Sequence, residues 1–170
     1  MDDVWIFGYG SLLWRPDLPF VERRVGHVRG WARRFWQGSP DHRGRPGAPG
    51  RVVTLVRRPG ARCDGIAYRV RGADAAGVLA RLDRREQAGY ERLVERMRSP
   101  AGDVDVVAYV ATPGNPNFLG PAPVDAIAAE IRVRSGPSGT NLDYALRLAG
   151  ALRDLGAVDE HVFAVAERLR

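Results

Sequence analysis

The order of hydrophobic periodicities along the chain predicts an α+β fold. Strand-like runs dominate the first two thirds, one amphipathic helix interrupts them, and helical periodicity fills the last third. Regular β-helix-β alternation is missing. At 170 residues and 45% hydrophobic content the chain is long enough to bury a core and short enough that a single domain, residues 1–170, is expected.

The first strand is Val4-Trp5-Ile6-Phe7, an apolar run ending at Gly8 that reads as buried on both faces and central in its sheet. Further strands are expected at Val25 to Arg29, Trp31 to Trp36, Arg51 to Val56, Gly65 to Val70, Arg92 to Met97 and Val104 to Val110, all rich in β-branched or aromatic residues. Helical spacing appears at Ala75 to Arg85, Pro123 to Arg134, Asn141 to Leu155 and His161 to Leu169. Pro123 stands where a first-turn proline is tolerated, and Gly156 where a helix stops. Two stretches dense in glycine and proline, Gly38 to Gly50 and Pro113 to Pro123, are expected to be irregular. Each is a surface loop or a substrate-contacting one.

Composition excludes several classes. No apolar run approaches the ~20 residues that span a bilayer, and Met1-Asp2-Asp3 lacks the basic start of a secretory signal, so a cytoplasmic protein without membrane attachment is expected. The lone Cys63 rules out a disulfide framework and a multi-cysteine metal site within one chain, and a reducing compartment fits. The formal charge of +6 comes from arginines spread from Arg15 to Arg170, with no lysine. Such scatter argues against an evolved phosphate-binding stripe, and no nucleic-acid partner is expected.

Two features bear on chemistry. Gly8-Tyr9-Gly10-Ser11-Leu12 follows the first strand directly, and its glycines let a ligand approach the main chain, where successive N–H groups could meet an anion. It lacks the third glycine of a dinucleotide fingerprint, and an ordinary tight turn is the competing reading. Glu86 falls seven and four residues after Leu79 and Leu82, on the apolar stripe of its helix. A carboxylate there must be paired, face a cleft or hold its proton more tightly than usual. Alternatively the helix ends by Arg85 and Glu86 pairs at the surface with Arg84, Arg85 or Arg92. His27, His42 and His161 share no close ligand spacing, so no zinc site is expected. Cys63 has no evident base, and Ser11 lacks a nucleophile-elbow pattern. Acid–base chemistry without a covalent enzyme nucleophile is what remains.

The stretches FGYGSLLW (Phe7 to Trp14), RRFWQGSPDHRGRPGAPGRVVTL (Arg33 to Leu55), REQAGYER (Arg85 to Arg92), NPNFLGPAP (Asn115 to Pro123) and GPSGTN (Gly136 to Asn141) closely resemble the ChaC family of glutathione-specific γ-glutamyl cyclotransferases, in order and over nearly the whole chain. The resemblance implies a small mixed β-barrel flanked by helices, the γ-glutamyl cyclotransferase-like fold, working without metal or organic cofactor. It implies that Tyr9, Gly10, Ser11 and Leu12 form the loop that cradles the γ-glutamyl group and that Glu86 matches the family's catalytic glutamate. Pro40 stands where the family often has threonine and Ala88 where glycine is usual, departures that bear on substrate preference rather than reaction type.

The expected reaction closes glutathione's own α-amine onto its γ-amide, releasing 5-oxoproline and cysteinylglycine, with Glu86 moving protons. Arg43, Ser138, Asn141 and Tyr144 are candidates for gripping the cysteinylglycine end, and plain structural use is the alternative for each. A monomer or weak homodimer is expected. Competing readings are a cyclotransferase acting on γ-glutamyl amino acids or γ-glutamylamines, and a non-enzymatic arginine-rich module that binds RNA or protein.

Overall fold

The computed structural model describes the backbone of residues 1–87 and 89–170, and the side chains of all of these except Arg85, Glu86 and Gln87. Five strands form a closed barrel: β1 (Val4–Gly8), β2 (Glu22–Ser39), β3 (Gly50–Val70), β4 (Tyr90–Arg98) and β5 (Val104–Ala111), in the order β1-β3-β2-β4-β5. β1 pairs antiparallel with β3 and parallel with β5, which makes the barrel mixed and puts the first strand between two neighbours, as its wholly apolar sequence predicts. Ile6 and Phe7 are buried within it.

β2 and β3 each join two segments that the sequence separates. The apparent break at Gly30 is a register shift between Arg29 and Trp31, where Gly30 takes φ +81° and the paired strands step past one another. Across from it, Gly60 at φ +83° carries β3 through the polar residues between Val56 and Gly65. The glycine-rich stretch is likewise shorter than expected, because Gly38 and Ser39 stay in β2, and Gly50 already pairs with Ser39. The second irregular stretch, near Pro113 to Pro123, is pinned along the end of β2. Gly38 N–H donates to Asn117 O (2.7 Å), and Leu119 N–H donates to Trp36 O (2.7 Å).

The helices are α1 (Gly72–Gln87), α2 (Val124–Val133), α3 (Asn141–Asp154) and α4 (Glu160–Arg168), with a two-stranded hairpin, β6 (Ser135–Gly136) and β7 (Gly139–Thr140), before α3. Pro123 is the N-cap of α2, one residue ahead of its first turn. Thr140 caps α3 by accepting the Asp143 N–H, and Asp159 caps α4 by accepting that of Val162. Past α3, Gly156 at φ +70° turns the chain away. α1 lies along β4 and β3, with Ala75, Val78 and Leu82 buried. α2, α3 and α4 pack on one another and against β2 and β3. Their inner faces bury Ile127, Ile131, Leu148, Leu152, Val162 and Val165, each such side chain contributing about 1.5–3 kcal/mol.

α4 is also tied to the barrel by polar bonds. Arg33, on β2, has a side chain 1% exposed and places NH1 2.7 Å from Asp159 Oδ2. Two residues on, Phe35 N–H donates to His161 Nε2 (3.0 Å), and burial pushes the imidazole from its ordinary 6.5 down to about 4. The unfolded chain therefore takes up this proton before the folded one. The stabilisation from His161 is full above pH ~6.5 and is lost as pH falls through the window down to about 4.

Two outcomes are expected. Asp159→Asn keeps the cap but strands the Arg33 charge, and urea titration should show about 3 kcal/mol of stability lost. Unfolding free energy measured stepwise from neutral to mildly acidic pH should decline, and less steeply in His161→Gln, which has no proton to take up.

Candidate active site

A cleft of about 380 Å³ opens at the end of β1, within the ~300–1,000 Å³ usual for small-molecule sites. Its floor is the turn that the sequence singles out. After Gly8 the chain enters a 3₁₀ turn, Ser11–Leu13, whose bonds run from Leu13 N–H to Gly10 O (2.9 Å) and from Trp14 N–H to Ser11 O (3.2 Å). These use the amides that follow Leu12, so those of Ser11 and Leu12 head the turn without being consumed by it. A Cβ at Gly10 would sit 3.2 Å from Tyr144 Oη, which is why the backbone and that phenol can approach so closely.

Tyr9 is fixed at three points. Its hydroxyl donates to Tyr109 O (2.6 Å), its ring stacks on Phe7, and its carbonyl accepts Arg33 Nε–H (2.8 Å). The same guanidinium donates to Asp64 O and meets Asp159, so a buried charge made on β2 holds the start of the turn. Beside it, burial pushes the Cys63 thiol up to about 11 and keeps it protonated and unreactive at neutral pH.

The opposite wall is the end of β2 with the segment that follows. Ser39 Oγ accepts the N–H groups of Arg43 (3.0 Å) and His42 (3.3 Å). Arg43 lines the cleft but turns its guanidinium to Thr140 O (3.0 Å) and Asp143 Oδ2 (3.4 Å), over the ring of Tyr144. Ser138 lines the cleft as well, its hydroxyl 3.0 Å from His42 Nδ1 and its N–H donating to His42 O. Tyr144 accepts the Val53 N–H (3.2 Å), leaving its own hydrogen to donate. Burial raises this phenol above its ordinary range, so the proton stays on.

Asn141 is placed differently. Fully buried and outside the cleft lining, it spends both ends of its amide on one residue: Oδ1 accepts Arg51 N–H (2.7 Å), and Nδ2 donates to Arg51 O (2.8 Å). It anchors α3 to β3. The structure thus brings Tyr9, Gly10, Ser11, Leu12, Arg43, Ser138 and Tyr144 together and leaves Asn141 behind the wall.

Glu86 lies in the last turn of α1, which runs through Gln87 rather than stopping at Arg85. Its side chain, with the sequence reading attached to it, lies outside the described residues. Residues that the sequence reading did not single out also line the cleft: Trp14, Gln37, Val53, Tyr90 and Tyr109. Tyr109 donates to Asp83 Oδ1 (2.5 Å), and burial, then this bond, raises its phenol above the ordinary range. No local signal marks Gln37, because its strand also carries Arg23, Arg24, His27, Arg29, Arg33 and Arg34. Among the described residues no three His, Cys, Asp or Glu side chains gather to hold a metal ion, and no helix is long and apolar enough to cross a membrane.

The chain is 47% identical to human "Glutathione-specific gamma-glutamylcyclotransferase 1" over 96% of its own length and 77% of that protein's. It is 40% identical to Arabidopsis thaliana "Gamma-glutamylcyclotransferase 2-3" over 98% of its own length and 88% of the relative's. A yeast crystal structure described as a γ-glutamyl cyclotransferase specific to glutathione superposes with a TM-score of 0.89 at 27% identity, covering 99% of this chain and 96% of that one. The family model for ChaC-like protein matches residues 4–170. With the closed mixed barrel, its flanking helices and the turn after β1 in place, this chain belongs to the ChaC-like family and has the γ-glutamyl cyclotransferase fold.

Proposed function

We propose that this protein is a glutathione-specific γ-glutamyl cyclotransferase, a cytoplasmic lyase whose residues 1–170 act as one domain and release 5-oxoproline and cysteinylglycine. The observation that carries the reading is the 47% identity to the human enzyme of that name across 96% of the chain, joined to a cleft floored by the Tyr9–Leu12 turn.

The nucleophile belongs to the substrate. The α-amine nitrogen attacks the γ-carbonyl carbon, a C–N bond closes the five-membered lactam, and the C–N bond to cysteinylglycine breaks. The starting ammonium carries three hydrogens and the lactam nitrogen keeps one, while the departing amide N–H becomes an ammonium. Two protons therefore pass from one nitrogen to the other, and Glu86 carries them as base and then acid. Folding the γ-glutamyl chain so that amine and carbonyl meet supplies on the order of 7–11 kcal/mol in favourable intramolecular cases. Positioned proton transfer adds about 10²- to 10⁴-fold.

The cleft suits the two ends of this substrate. The Ser11 and Leu12 amides supply N–H groups for the substrate carboxylate or for the oxyanion that forms at the γ-carbon. The Tyr144 hydroxyl, held by Val53 N–H close to Gly10, adds a donor beside them. Ser138 and Arg43 stand on the side where the cysteinylglycine end extends, Arg43 shaping that wall through its bonds to Thr140 and Asp143.

The broader name of the Arabidopsis relative favours a second reading, action on other γ-glutamyl compounds. Rates with reduced glutathione, γ-glutamyl-alanine and γ-glutamyl-lysine separate the two, with only the first expected to be turned over efficiently. Glu86→Gln is expected to keep its melting temperature and lose about 10²-fold or more of 5-oxoproline release, measured by product chromatography. Normal turnover by that variant would remove Glu86 from the mechanism.

A further inference from the structure

Among the described residues, two buried side-chain polar atoms of cleft-lining residues have no hydrogen-bond partner, Trp14 Nε1 and Gln37 Oε1, and only the second is an acceptor. Gln37, on β2, lines the cleft and is 1% exposed. Its amide nitrogen lies 3.0 Å from Asn115 Oδ1. Which end of the Gln37 amide is which follows from its neighbour. Asn115 Oδ1 also accepts the main-chain N–H of Asn117 (2.8 Å), and a main-chain N–H can only donate. Asn115 Oδ1 is therefore an acceptor, the Gln37 group facing it must be the NH₂, and the other end is the carbonyl. That carbonyl oxygen is buried and has no donor among the described residues. A buried amide oxygen left without a donor costs about 1–3 kcal/mol, so its retention in a cleft wall points to a ligand N–H.

The position of the pair says which N–H. Asn115 packs against the turn that follows α1: a methyl group added at Gly89 would fall 2.9 Å from Asn115 Nδ2. Gln37 and Asn115 thus stand beside the turn that leads from α1, whose last turn carries residue 86, into β4.

We propose that Gln37 Oε1 binds the substrate's α-amine and holds the one hydrogen that this nitrogen never loses. The inference rests on the cyclotransferase reading above. Of the three hydrogens on the ammonium, two leave through Glu86 and the third becomes the lactam N–H. A carboxylate suits the first two because it can take a proton. An amide oxygen suits the third because it accepts a hydrogen bond without removing the proton. Holding that hydrogen also fixes the rotation of the nitrogen, so that the lone pair freed by the first proton loss faces the γ-carbonyl and the one remaining hydrogen faces the proton carrier.

The test pairs a protein change with a substrate change. Gln37→Met keeps the length of the side chain and removes the acceptor, and Asn115 Oδ1 retains its bond from Asn117 N–H. The probes are glutathione, followed by kcat/KM, and its deaminated analogue, in which hydrogen replaces the α-amino group, followed by its inhibition constant. Gln37→Met is expected to lower kcat/KM for glutathione roughly 10- to 100-fold and to leave inhibition by the analogue within about threefold. Equal losses for both molecules mean that Gln37 only shapes the wall, and no loss for either means that it does not meet the amine; each overturns the proposal. Should the variant not fold, crystals of the unaltered protein soaked with 5-oxoproline give the same answer. The lactam nitrogen is expected within about 3.2 Å of Gln37 Oε1. A lactam bound with its nitrogen elsewhere, or none in the cleft at saturation, overturns the assignment. Unaltered protein that releases no 5-oxoproline from glutathione would sink the reaction itself, and the soak would still show whether Gln37 holds a lactam N–H.

Discussion

The guanidinium of Arg33 is the point on which barrel, C-terminal helix and cleft depend together. A buried charge costs several kcal/mol unless it is paired and its hydrogens are taken up. Arg33 meets that requirement with groups from three places in the chain: Tyr9 O after β1, Asp64 O on β3 and the Asp159 carboxylate that also caps α4. None of these can move far without leaving a donor unsatisfied. The turn that floors the cleft is therefore held from behind by an element more than a hundred residues away in sequence. The position of α4 is part of the site even though none of its side chains lines it.

The same principle governs the other wall. Arg43 and Arg51 are buried like Arg33, and each serves main-chain carbonyls as much as carboxylates: Thr140 O for Arg43, Phe35 O for Arg51, with Glu130 completing the second. Arginine suits this use because its fork of fixed donors can satisfy several acceptors at once. These three arginines thus work inside the protein, tying main-chain segments together. Each of the three is matched by a carboxylate, so these pairs leave the net charge of +6 to the other residues.

The cleft combines a floor of main-chain amides with walls of phenols and amides whose protons stay in place. Tyr109 and Tyr144 are both shifted upward by burial, so they act as fixed donors across the neutral range. Cys63 is kept protonated by the same cause. In the proposed mechanism proton traffic belongs to the Glu86 carboxyl, and these two phenols orient without titrating. Such a division suits a reaction whose nucleophile arrives with the substrate, because the protein's work is then geometry, with one route for protons.

Local patterns were enough for the class of fold, the burial of the first strand, the helices and the turn after β1: an apolar run, a 3.6-residue period, a glycine beside a strand end. A central place for the first strand has no counterpart, because a closed barrel gives every strand two neighbours. The resemblance of its motifs likewise fixed the family. Strand boundaries were not legible, since Gly30 and Gly60 look like breaks in a linear string and become register shifts only when a partner strand lies alongside. In sequence Asn141 reads as a candidate ligand and Gln37 does not, and one cause lies behind both. Whether a buried amide is used up or left over depends on which carbonyls and N–H groups face it, and those come from residues some 80–90 positions away. Only tertiary structure decides that pairing, because hydrogen-bond satisfaction is a property of a place and not of a residue type.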